Sequence, residues 1–176
     1  MTASHLIRPT TMTLRVLAAA ALALPLWLAG CDEQRAAKLE EGVSTETQVR
    51  QQFGEPVTVA TLADGSRVFE YPRQPEGWTN YFITLGPDGK ISALRQVLTE
   101  ANFARVSTGM ARHEVRALLG RPARTQRYDL RHEEVWDWRF RAGQTARVFS
   151  ATFDSDGRVT TTAIADDARD TQAGGD

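Results

Sequence analysis

Three regimes of hydrophobic spacing follow one another along the chain. Val16 to Trp27 is apolar at nearly every position, behind the positive charges of Arg8 and Arg15. Further on, Val49 and Phe53 stand four apart, as on one face of a helix. After Pro56 the period drops to two. Val57, Val59 and Thr61 fall on one side, and Phe69 and Tyr71 share a face in Arg67–Tyr71, as strands require. Asn80–Leu85 and Ile91–Leu98 continue as strands, joined by the turn Gly86-Pro87-Asp88-Gly89. Asp64-Gly65 marks a hairpin, and Pro72–Gly77 is a loop rich in turn formers with Trp78 directly behind it.

The helices have their own signals. Residues 32–41 favour helix by propensity but show little apolar face, and Gly42 ends them. Thr45 and Gln48 have capping-box spacing. Gly54 is placed for a left-handed C-terminal cap, and Pro56 prevents the helix restarting. The unit reads helix, helix, four antiparallel strands.

The unit then recurs. Phe53-Gly54-Glu55-Pro56 is matched by Leu119-Gly120-Arg121-Pro122, and Phe69-Glu70-Tyr71 by Trp136-Asp137-Trp138. Leu85-Gly86-Pro87-Asp88-Gly89-Lys90-Ile91 is matched by Phe153-Asp154-Ser155-Asp156-Gly157-Arg158-Val159. Three matches in order, each with one structural role, indicate a duplication. Glu100–Arg105 supplies the second short helix. Ala111–Leu119 supplies the second long one, with Val115, Leu118 and Leu119 as its apolar stripe. Ala111 stands where Thr45 stood, so a threonine there is expected to return the ~1 kcal/mol of a lost cap. The fold class is α+β. Two tandem helix-helix-four-strand repeats, residues 38–98 and 99–165, each carry an antiparallel sheet with helices on one face. The other face of each sheet is open, or the two sheets join into one of eight strands. Residues 166–176 hold four aspartates and no large apolar side chain, and read as an acidic disordered tail.

The first apolar run changes where this fold sits. It is short of the about 20 residues a spanning helix needs, is interrupted by Pro25, and ends in Leu28-Ala29-Gly30-Cys31. This layout resembles a lipoprotein signal (residues 1–30) with its lipobox, in which Cys31 takes a diacylglyceryl group and becomes the first mature residue. The competing readings are an uncleaved anchor, for which the run is short, and ordinary secretion, which leaves a lone exposed thiol. Each buried methylene contributes about 0.8 kcal/mol, so two or three acyl chains hold a protein durably on a bilayer. Residues 31–37 serve as the tether. Asp32, directly after Cys31, resembles an inner-membrane retention signal, so the lipobox points to a membrane-anchored, periplasm-facing chain without choosing the membrane.

Of the 21 basic residues, two are lost with residues 1–30; the 22 acidic ones all remain, leaving a mature net charge of −3. No basic block exists, which argues against nucleic acid as a partner. With Cys31 acylated no thiol remains for a disulfide or a thiolate metal site. His113-Glu114 lacks the second histidine of a zinc-protease helix. His132-Glu133-Glu134 reads as a polar strand entry. Asp154-Ser155-Asp156-Gly157 lacks the later ligands of a calcium loop. No serine has a matching histidine and acid in motif context. No cofactor, metal site or catalytic group is expected.

Gly109-Met110, Glu114-Val115 and Leu119-Gly120-Arg121-Pro122, followed by three or four strands, resemble the SmpA/OmlA (BamE-like) lipoprotein domain. The resemblance covers residues 38–165. It is closer in the second copy; in the first, Val43 replaces Met110, one residue is inserted before the helix, and Phe53 replaces Leu119. The doubled arrangement is similar to the β-lactamase inhibitory protein fold. The resemblance implies a lipid-anchored module at the periplasmic face of the outer membrane. It would bind envelope proteins, β-barrel assembly components among them, and perform no reaction of its own. The inhibitory fold implies an alternative, the capture of a periplasmic enzyme. Phe69, Tyr71, Trp136 and Trp138 occupy matched positions, either filling the core or lining an open face as anchors. Trp78, beside the loop, is the aromatic best placed for an interface.

Overall fold

The computed structural model describes residues 31–169; residues 1–30, where the sequence reading expects a lipoprotein signal, and residues 170–176 lie outside it. A short helix α1 (Cys31–Ala36) leads into α2 (Glu46–Phe53) and strands β1 (Thr58–Thr61), β2 (Arg67–Pro72), β3 (Asn80–Leu85) and β4 (Ile91–Gln96). The order repeats as α3 (Glu100–Phe103), α4 (Arg112–Leu119), β5 (Arg124–Tyr128), β6 (Glu133–Ala142), β7 (Thr145–Phe153) and β8 (Val159–Asp166), with a single 3₁₀ turn between β5 and β6. The strands form two separate four-stranded antiparallel meanders, β1-β2-β3-β4 and β5-β6-β7-β8.

Each repeat is built by the same hydrogen bonds. Gly42 N–H donates to Ile91 O at 2.7 Å, and Gly109 N–H to Val159 O at 2.8 Å. Ile91 N–H returns to Ser44 O at 2.8 Å, and Val159 N–H to Met110 O at 2.9 Å. The segment before each long helix is thereby laid against the start of its fourth strand. Each long helix ends on a glycine whose carbonyl accepts from an aromatic of the second strand. The Tyr71 hydroxyl donates to Gly54 O at 3.1 Å, and the Trp138 indole N–H to Gly120 O at 3.0 Å. Gly54 (φ 81, ψ −159) and Gly120 (φ 73, ψ −168) are not in the left-handed helical cap that their position suggested. They turn the chain out in the mirror-extended region, which only glycine enters freely.

The capping box is half-formed in both copies. Gln48 accepts from the Thr45 backbone N–H at 2.8 Å, and Glu114 from that of Ala111 at 2.7 Å. The Thr45 hydroxyl turns to the same Gln48 oxygen, at 3.2 Å. A threonine at 111 is therefore not expected to supply the backbone cap that spacing alone promised.

Two cores result. Val49 and Phe53 of α2 meet Phe69, Tyr71, Tyr81, Ile83, Leu85 and Ile91 on one face of the first sheet. Phe103, Val115 and Leu119 meet Trp138, Phe140, Phe149, Ala151 and Phe153 on one face of the second. Removing side chains of this size from water contributes ~1.5–3 kcal/mol each. The first sheet's opposite face is not open along its length, because Phe82 projects from it into the second repeat's core. The acidic tail also starts later than composition suggested. Asp166 closes β8, and Asp167 is buried against Arg139, whose guanidinium needs a countercharge out of water.

Burial raises the phenols of Tyr71 and Tyr81 to about 12. A raised acid favours the neutral form in the native state. The native state is therefore unaffected by these phenols below pH ~10 and is destabilised as pH climbs toward ~12. Tyr81→Phe is accordingly expected to move the midpoint of alkaline unfolding upward while leaving the pH 7 melting temperature nearly unchanged. A titration followed by circular dichroism checks this.

Candidate functional site

The duplicated parts differ where they touch, and the differences are polar. Glu70 lies on the far face of the first sheet, in the position that Asp137 occupies in the second. Its carboxylate accepts from both Arg116 amino groups, at 2.6 and 2.9 Å, and from the Arg121 backbone N–H at 2.8 Å. Beside it the Asn80 amide donates to Leu119 O at 2.8 Å and Arg121 O at 2.9 Å. The C-terminus of α4 is thus clamped by side chains of the first sheet. Gly120 sits inside the clamp, where a Cβ would stand 3.0 Å from the Asn80 amide nitrogen and 3.1 Å from a Glu70 oxygen. Its counterpart Gly54 has nothing within 4 Å.

A second contact lies at the edge of the second sheet. The β5–β6 register ends at Arg124↔Asp137, so β6 continues beyond its neighbour. The exposed backbone of Arg139 is taken by one side chain. Gln74 accepts from its N–H at 3.1 Å and donates to its carbonyl at 2.8 Å, as a fifth-strand residue would. The Arg139 guanidinium packs over the Trp78 ring at 3.9 Å, with Arg141 at 5.0 Å. It also donates to Pro75 O at 2.8 Å and to the Asp167 carboxylate. Burial pushes the Asp167 carboxyl up, but the Arg139 hydrogen bond and the Arg169 backbone N–H outweigh it and hold the carboxyl below its ordinary value.

These contacts place the five aromatics. Phe69, Tyr71 and Trp138 are fully buried, which corrects any reading of them as partner surface: their ring area is already used by the helices. Trp136 packs at the margin of the second core and donates to Glu134 at 2.9 Å. Trp78 is half-buried and lies against the second repeat's arginines. Of the residues that join the repeats, Glu70 and Gly120 stood in the sequence only as members of repeated motifs, and nothing marked them, Gln74 or Asn80 as contacts between the repeats. The available signal was a glutamate and an asparagine at strand positions facing away from the aromatic stripe.

What stays bare on the second sheet is the β7–β8 part of its outer face. Strand register puts Val135 beside Thr152 and Thr161, and Val148 beside Ala165, all opposite the Trp138 side. The three β8 side chains Thr161, Ala163 and Ala165 are exposed. The side chains of this part are uncharged, and the β6 part of the same face carries Asp137, which accepts from Ser150, and the buried Arg139.

The chemistry-bearing motifs do not converge. His113 is exposed in the first turn of α4, and His132 takes a left-handed conformation (φ 53) after the 3₁₀ turn. One Asp154 oxygen accepts from the N–H groups of Asp156 and Arg158, which makes the motif a backbone turn. Among the described residues no group of three or more His, Cys, Asp or Glu is gathered for a metal ion.

The second repeat, which carries α4 and the Gly120 turn, is the part for which a family match is found. Residues 96–163 match the outer membrane protein assembly factor BamE domain. The BamE match spans the second repeat; the first is tied to it here by the repeated hydrogen bonds. No curated protein matches the chain. Among solved structures, OsmE, described as an osmotically inducible lipoprotein, is 18% identical with a TM-score of 0.36, covering 44% of this chain and 90% of its own. YjgB of Bacillus subtilis, a DUF4309 family protein, is 19% identical with a TM-score of 0.32, over 76% and 86%. A Streptococcus mutans protein described as a candidate β-lactamase inhibitor is 12% identical with a TM-score of 0.34, over 76% and 94%.

Proposed function

We propose that the chain is a lipid-anchored protein-binding module on the periplasmic face of the outer membrane, supporting outer-membrane protein assembly or envelope integrity. The BamE match over residues 96–163 carries this reading. The lipobox at Cys31 supplies the anchor. Among the described residues no helix is long and apolar enough to cross a membrane. The bare face of the second sheet offers the contact. Acyl chains confine the domain near its partners and raise their effective concentration, so modest contacts suffice. Shape and proximity do the work, with no catalytic step and no cofactor.

The test is affinity purification of the full chain from detergent-solubilised membranes. Barrel-assembly components are expected to accompany it. Thr152→Lys, which places a charge at the centre of the bare face, is expected to reduce their recovery at least ~10-fold, as loss of a central contact does. Cys31→Ser is expected to release the chain from the outer-membrane fraction. Recovery of a periplasmic hydrolase with lowered activity, in place of assembly proteins, overturns the reading in favour of an inhibitor. Accumulation in the inner membrane that Asp32→Ser reverses overturns the location.

A further inference from the structure

The four sheet edges are not equally protected. β1 is only four residues long. On β4 the Glu41 carboxylate accepts from the Leu94 N–H at 2.7 Å and from Arg95 at 2.6 Å. β5 carries Arg124 and Arg127. β8 runs eight residues and is uncharged until Asp166, with no lysine, arginine or proline to deter another strand.

Strand alternation shows which β8 groups are free. Asp137 turns its carbonyl toward β5, where Ala123 N–H reaches it at 2.8 Å, and Arg139 turns both backbone groups the same way, to Gln74. The backbone of Trp138 therefore faces β7, and its register partner Phe149 faces β6. Val148, Ser150 and Thr152 then face β8 and meet Ala165, Ala163 and Thr161. The N–H and C=O groups of Thr162 and Ile164 point to the open side, where none finds a partner among the described residues.

This open stretch has a defined length. At one end Val159 is already paired with Gly109 and Met110, and the Thr108 hydroxyl reaches Thr160 O at 3.4 Å. At the other end Asp167 turns its carboxylate to Arg139. The window is residues 160–166, and Ala163 is its centre. We propose that it is filled by the same window of a second copy, running antiparallel about a twofold axis at Ala163.

That register sets Thr162 opposite Ile164 of the second copy, and Ile164 opposite its Thr162. The outward backbone groups of these two residues form four hydrogen bonds, and Thr160 and Asp166, which alternate the same way, face each other at the two ends of the window. Thr161 lies opposite Ala165, and Asp166 opposite Thr160, so no like charges meet. The Ile164 side chain, 39% exposed, gains a β-branched neighbour. The product is one eight-stranded sheet whose outer faces are continuous, a closed isologous pair that leaves no β8 edge to recruit further chains.

Ala163 on the axis forms a pair with its own copy that is not hydrogen-bonded across the interface. Its Cα atoms would lie ~4.5 Å apart, within disulfide reach. Under mild oxidation of membranes holding the full chain, Ala163→Cys is expected to give a covalent dimer at least ~10-fold faster than Thr161→Cys, whose two thiols lie far apart in this register. Wild type, with Cys31 as its only cysteine, is the background. Thr162→Pro removes an outward N–H and leaves the β7 pairing intact. It is expected to reduce the detergent-solubilised chain from twice its mass to once, with its melting curve still cooperative. Ala163→Cys linking no faster than Thr161→Cys, linking to a species of another mass, or a Thr162→Pro chain that keeps the doubled mass overturns the proposal.

Discussion

Arg139→Met is expected to destabilise the protein by about 3–5 kcal/mol and to invert how its stability responds to acid. The native arrangement holds Asp167 with its side chain 4% exposed and with Arg139, 9% exposed, as its counterion. Its lowered carboxyl contributes stability that is present above the unfolded value near 4 and is lost as pH falls through the folded value. Methionine keeps much of the volume under Trp78 but leaves burial as the dominant influence on the carboxyl, which then favours protonation. The variant should therefore gain stability as pH drops from about 7 to about 4, where the wild type gains none. Adding Asp167→Asn should recover much of the loss at neutral pH and flatten the response. Denaturant melts at several pH values read all three outcomes. A loss that did not depend on pH would place the defect in packing around Trp78.

Gly120→Ala should cost about 3–5 kcal/mol, while Gly54→Ala, at the equivalent turn, should cost only ~1–3. Both residues share a backbone conformation unfavourable to alanine, which sets the common part. The difference comes from what waits for the new methyl group. At Gly54 there is open space, and at Gly120 there are the Asn80 amide and the Glu70 carboxylate at 3.0–3.1 Å. Those two groups cannot retreat without releasing Arg116, the Arg121 N–H and the Leu119 carbonyl. Paired chemical melts of the two variants measure the interval directly. Equal losses would mean that the clamp gives way freely.

Much of the fold was legible because it is local. The Val49–Phe53 spacing, the alternation in Arg67–Tyr71 and the Asp-Gly turns state helix, strand and hairpin within a few residues of chain. The duplication was legible because matched turns bracket matched aromatics. What pattern could not supply was contact between distant segments. Nothing near Gln74 announces that its amide will complete the edge of a strand some sixty residues later. Nothing near Asp167 separates it from the acidic residues that follow. The matched aromatics show the same limit. Period two places Phe69, Tyr71 and Trp138 on one face of their strands, but only the packed helices decide that this face is the inside.

The bonds of Glu70, Gln74 and Asn80 also bear on whether the repeats can be separated. The first repeat places three polar side chains where groups of the second answer them. Excising either half would strand those groups, so each repeat taken alone would carry polar atoms whose partners left with the other.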